Sequence, residues 1–122
     1  MGSKPWKVGI AVATMAALVL GGCATAPAPT EQMAVSRAAM DDAISAGSTE
    51  YAPDEFRIAQ QRLSAANEAF ARREYRTARQ LAEEAEVDAR LAATKARSVK
   101  AQRAVAEVRE SIRALKSELT RR

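Results

Sequence analysis

Residues 74–119, EYRTARQLAEEAEVDARLAATKARSVKAQRAVAEVRESIRALKSEL, run for 46 residues without a glycine or a proline. Those two residue types weaken a helix interior by about 1 and about 3 kcal/mol relative to alanine, whereas alanine, glutamate, arginine and leucine are strong helix formers. The stretch therefore predicts one long helix, from about Glu74 to Leu119. It carries two stripes of seven-residue period. Tyr75, Ala78, Ala82, Ala85, Ala89, Ala92, Ala96 and Val99 make the first, which is nearly all alanine, so a neighbouring helix is able to approach closely. Val87, Leu91, Thr94, Ser98, Ala101, Val105, Val108, Ile112, Leu115 and Leu119 make the second, on a different face. Two seams on one helix call for one partner near its start and another near its end.

Two shorter helices precede it. Pro53-Asp54-Glu55 is a start signal, because proline suits the first helical position and acids favour the first turn. Phe56, Ala59, Leu63, Ala66 and Phe70 follow in steps of three and four, a heptad seam. This helix is expected over about residues 53–72, its phase being lost across Ala71-Arg72-Arg73-Glu74-Tyr75. Earlier still, Thr30 reads as an N-cap with Glu31 in the first turn, and a helix is expected over about residues 31–46. Gly47 supplies its stop, with Ser48-Thr49 continuing the break. Met33, Met40 and Ile44 give this first helix only a thin apolar stripe.

The expected fold class is thus all-α, a helical hairpin or three-helix arrangement with a long, coiled-coil-like C-terminal helix. A helix of that length is a rod of ~70 Å. The second helix, folding back antiparallel, covers less than half of it. Val105, Val108, Ile112, Leu115 and Leu119 are therefore expected to overhang, a candidate seam for a second copy or another protein.

The N-terminal end carries a different signal. Met1–Lys7 has two lysines and no acid, and Val8–Leu20 is uncharged and apolar. Such a run falls short of the ~20 residues of a spanning helix but suits the apolar region of a signal peptide. Leu20-Gly21-Gly22-Cys23 then resembles the lipobox of bacterial lipoproteins. That resemblance implies cleavage between Gly22 and Cys23, a diacylglycerol on the thiol, and an acyl chain such as palmitate on the freed amine. Each buried methylene adds ~0.8 kcal/mol to membrane attachment, so several chains hold firmly. It divides the chain into a signal peptide (1–22), a lipidated cysteine with a Pro/Ala tether (23–30) and a periplasmic helical domain (31–122). Because Cys23 is the only cysteine, lipidation removes disulfide, thiol-nucleophile and cysteine–metal chemistry together. In Gram-negative lipoproteins an aspartate after the cysteine favours retention in the inner membrane. Ala24 stands here, which implies the outer membrane, periplasmic face.

Three resemblances concern the helical part. Leu63–Ala85 is similar to a tetratricopeptide-type hairpin, with Tyr75, Ala78, Ala82 and Ala85 on the spacing of its second helix. Ala66, Ala69 and Ala82 stand where that repeat has a glycine and aromatics, and there is one hairpin where arrays need about three. Its peptide-binding role is not carried over. From Tyr51-Ala52-Pro53-Asp54-Glu55-Phe56 through Glu74-Tyr75 and Leu81–Ala92 the chain resembles an uncharacterised family of helical periplasmic lipoprotein domains, in some members fused to an OmpA-like domain. The likeness implies a cell-envelope location and a helical fold, and no activity. The small murein lipoprotein is joined to peptidoglycan through a terminal lysine. Thr120-Arg121-Arg122 offers guanidinium instead, so covalent attachment is not expected.

The chain has 19 Lys/Arg, 15 Asp/Glu and no histidine, a net charge of +4, which becomes +2 once Lys4 and Lys7 leave with the signal. Neither that balance nor any motif points to nucleic acid. Residues 31–93 hold eight Arg against twelve acids, whereas residues 94–122 hold nine Lys/Arg against three. Lys100, Arg103, Arg109, Arg113 and Lys116 are accordingly candidate contacts for an anionic partner, peptidoglycan included. No catalytic constellation is visible, so no enzyme and no cofactor beyond the lipid are expected. Asp41 and Asp42 diverge by about 100° on a helix and converge on no metal. The run Glu83, Glu84, Glu86 and Asp88 reads as a solvated face with i,i+4 pairs such as Glu86–Arg90.

Overall fold

The computed structural model describes residues 26–121. Four helices follow one another: α1 (Thr30–Ala46), α2 (Ser48–Tyr51), α3 (Pro53–Ala71) and α4 (Tyr75–Arg121). No strand occurs among the described residues, and the fold is all-α.

The helix boundaries follow local chemistry, with three differences from expectation. Thr30 lies inside α1 and is not its cap, because the helical ladder already begins at Pro29, whose carbonyl accepts from the Met33 amide at 3.0 Å. Ile44 is 52% exposed, while Ser36, Ala39, Ala43 and Ala46 join Met33 and Met40 on the buried side of α1. A helix packed against an alanine seam presents small residues, so the apolar stripe alone pointed slightly off. Gly47 does end α1, in the left-handed conformation (φ 85°), but Ser48–Tyr51 then form a one-turn helix and do not prolong the break. A Cβ at Gly47 would stand 3.2 Å from Tyr51 Cδ2.

The turn between α3 and α4 explains why no glycine marks it. The Arg73 amide donates to Phe70 O (3.0 Å) and the Glu74 amide to Ala69 O (2.9 Å), the double closure of a Schellman end. Arg73 takes the left-handed position at φ 61°, where glycine is usual. The Phe70 and Tyr75 rings meet across this corner with centroids 5.7 Å apart.

Contacts between helices give their directions. Gln32 pairs with Glu86 and Lys100 with the carbonyl of Ala46, a sequence offset of 54 in both cases, so α1 runs parallel to α4. Glu55 pairs with Lys95 and Arg62 with Asp88, so α3 runs antiparallel to α4. Both α1 and α3 pack mainly on α4 and touch one another little. The first seam of α4 is what they share: Ala78, Ala82, Ala85, Ala89, Ala92 and Ala96 are completely buried. Ala59 and Ala66 of α3 and Ala43 of α1 meet them, equally buried, with Phe56, Leu63 and Phe70 flanking, and Ala69 of α3 is completely buried too. Close approach of backbones, with little side-chain bulk, is what packs this bundle.

Charges border the seam on both sides. Arg62 Nη1 donates to Asp88 at 2.6 Å and its Nε lies 3.5 Å from Glu84. Glu86 accepts from Gln32 of α1 at 2.7 Å and pairs with Arg90 at 2.6 Å. The expected Glu86–Arg90 pair is present. Glu84, Glu86 and Asp88 also tie α3 and α1 to α4, so the acidic run is less a solvated face than a pair of seams. Lys95 holds Glu55 at 2.5 Å, and that bond keeps the Glu55 carboxyl below its ordinary range. Arg72 does the same to Glu74.

Candidate partner-binding surface

Beyond Arg103, which still reaches Tyr51 and Glu50, the bundle ends and α4 continues alone. Every residue from Ala101 to Arg121 is exposed. These residues extend the rod by about 30 Å past its last contact with α1. Val105, Val108, Ile112, Leu115 and Leu119 lie 50–76% exposed along one line of this bare helix. The overhang expected from helix lengths is present, with its stripe uncovered by the described chain.

The stripe is longer than the overhang. Val87 and Leu91 are 64% and 54% exposed, although they lie where α1 and α3 cover the opposite side of α4. The two stripes thus occupy opposite faces: alanine inward, larger apolar residues outward.

The candidate cations fall into three groups. Lys100 Nζ donates to the carbonyl of Ala46 at 3.1 Å, satisfying the end of α1, and sits 5.6 Å from the Tyr51 ring centroid. Arg103 Cζ lies 4.8 Å from the same centroid, with a guanidinium nitrogen 3.8 Å from Glu50. Both residues are engaged by the fold, as a cation–π pair around Tyr51. Nothing in the sequence announced this, because the partner of Lys100 depends on how α1 lies along α4. Arg113 pairs with Glu110 on its own helix at 2.8 Å. Arg109 and Lys116 have no acidic partner among the described residues.

Gly22 and Cys23, the expected cleavage and lipidation positions, lie outside the described residues. The first described residues, 26–29, are non-helical and lead into α1 beside Arg79, at the end of the bundle remote from the overhang. Among the described residues no group of three metal-ligating side chains stands together, and no helix is long and apolar enough to cross a membrane.

An elongated three-helix bundle with one helix projecting from it is the class that fold and surface define. Residues 31–108 match the model of the domain of unknown function DUF4398, and the chain belongs to that family. No curated protein and no solved structure matches it.

Proposed function

We propose that this is a non-enzymatic, lipid-anchored protein of a bacterial cell envelope, held by acyl chains on Cys23 at the periplasmic face of the outer membrane and acting as a helical scaffold or spacer. The parallel course of α1 and α4 carries this reading. The tether joins the bundle at the end where α3 turns into α4, and the bare part of α4 leaves from the other end. By the offset of 54, Thr30 lies level with about residue 84. The remaining 37 or so residues put Arg121 ~55 Å further along the rod. An anchor at one end and an uncovered helix at the other is the layout a spacer needs. Fractionation of a Cys23→Ser variant tests it: release from the membrane is expected, and continued sedimentation with the outer membrane overturns the anchor.

A second reading, noncovalent binding of peptidoglycan or an acidic envelope protein, is supported by Arg109 and Lys116, which lack acidic partners among the described residues. Retention on purified peptidoglycan should fall sharply in an Arg109→Glu/Lys116→Glu variant. Equal retention of variant and parent sinks that alternative.

A further inference from the structure

The bare stripe has a pattern that selects its occupant. In heptad terms Val105, Ile112 and Leu119 fall at a, and Val108 and Leu115 at d. Val105 and Ile112 at a with Leu115 at d follow the pattern that favours two parallel strands, β-branched at a and leucine at d, although Val108 and Leu119 do not. The flanks discriminate further. Arg109 and Lys116 are the e positions, and Ala104, Ser111 and Glu118 the g positions. An antiparallel pair faces e with e and would oppose Arg109 to Lys116, a like-charge contact. A parallel pair faces g with the next e, so Ala104 meets Arg109 and Ser111 meets Lys116, and no like charges meet.

Two structural facts agree. The stripe faces away from α1 and α3, since the buried Ala89, Ala92 and Ala96 occupy the opposite positions f, b and f. A partner seated on it displaces nothing. Residues 104–121 are also helical with no packed face, whereas helices in proteins draw most of their stability from packing an apolar face. A matching stripe supplies that face.

We infer that the stripe is covered by a second copy of this chain, in a parallel, in-register, two-stranded coiled coil centred on Val105–Leu119. The parallel sense leaves both tethers at the same end of the pair, as two copies anchored in one membrane require. To that extent the inference rests on the proposed scaffold, although the seam itself does not need the anchor.

Oxidative crosslinking of the full chain tests it. Val105→Cys and Leu119→Cys, each made separately in a Cys23→Ser background, should each form a disulfide-linked dimer of twice the chain mass. Ser117→Cys, at the outward f position, should do so at least about tenfold more slowly, because its thiols stand too far apart to bridge. Dimers at Val105→Cys and Leu119→Cys with little at Ser117→Cys support the seam. No dimer at either position, equal crosslinking at Ser117→Cys, or crosslinking of Val105→Cys only to a co-expressed Leu115→Cys copy would each overturn it. The substitutions fall where α4 touches no other helix, so loss of the bundle does not confuse the result. Failure here also leaves the anchor untouched, since fractionation of Cys23→Ser tests that by itself.

Discussion

Replacing Ala89 by leucine puts the alanine seam to its hardest test. Ala89 is completely buried in a cluster with Ala39, Met40 and Ala43 of α1, Ala59 of α3, and Ala92 and Ala96 of its own helix. Leucine adds three carbons. If the site had room, their burial would stabilise the fold by up to about 2.4 kcal/mol, at ~0.8 kcal/mol per methylene. It has none, and overpacking typically costs 1–3 kcal/mol. The upper end applies here, because every neighbour named except Met40 is an alanine, which has no rotamer with which to move aside. The helices themselves must separate, and contact is lost along the whole seam. Helix propensity does not confuse the sign, since leucine ranks just below alanine.

A bundle of about seventy residues has roughly 4–10 kcal/mol to lose, at 0.05–0.15 kcal/mol per residue. A loss of about 3 kcal/mol should therefore lower the melting temperature by more than about 10 °C, at 4–8 °C per kcal/mol for a domain of this size. Urea titration followed by helical circular dichroism measures it, with Ala114→Leu as the control on the exposed, outward side of the overhang. Ala89→Leu should lower the midpoint, and Ala114→Leu should leave it unchanged. Equal midpoints for Ala89→Leu and the parent would refute close approach as the basis of the bundle.

The two left-handed positions should respond with opposite signs. Gly47→Ala places a Cβ at φ 85° and should cost about 1–2 kcal/mol, while Arg73→Gly, at φ 61°, removes the corresponding strain and should raise the urea midpoint. Lys100→Ala should lower stability by about 0.5–1 kcal/mol through loss of its contact with Tyr51, whereas Arg109→Ala should leave the bundle unmoved; equal effects would contradict the division of the cations. Acid provides a further check. Because Lys95 depresses the Glu55 carboxyl in the folded state, the stabilisation is complete above the ordinary glutamate range and is lost as pH falls below about 4.3 through the depressed value. Urea midpoints between about pH 3 and 7 should therefore fall less on the acid side in Glu55→Gln than in the parent.

Much of this architecture was legible because α4 is so regular. A glycine- and proline-free stretch with an alanine stripe and a second stripe at heptad spacing leaves few alternatives, and the length mismatch between helices already implied the overhang. What escaped depended on the fold itself. The Schellman turn at Arg73 uses a residue with no propensity for its conformation, so ARREY signalled only a lost phase. The parallel packing of α1 could not be seen from three scattered residues, Met33, Met40 and Ile44, one of which faces water. With the offset of α1 hidden, the partners of Lys100, Arg103 and Glu86 were hidden too. Two cations that looked available for a ligand are instead bound to Tyr51.

The distribution of apolar bulk across α4 bears most directly on function. In an ordinary domain the large aliphatic residues lie inside, and the informative deviation is a run of them outside. Here the buried face of α4 is alanine, while Val87, Leu91, Val105, Val108, Ile112, Leu115 and Leu119 are all at least half exposed. Alanine inside is needed for two helices to lie close against one rod. Valine, isoleucine and leucine outside add nothing to that bundle, and a helix required only to be long would be better served by lysine and glutamate at those positions. The stripe also keeps its heptad register from Val87 past the last contact with α1 to Leu119, where no feature of the chain's own fold demands it. A register maintained beyond the reach of the bundle is the observation behind the proposed second α4 running alongside the first, and it is why the crosslinking pattern at Val105 and Leu119 decides that proposal.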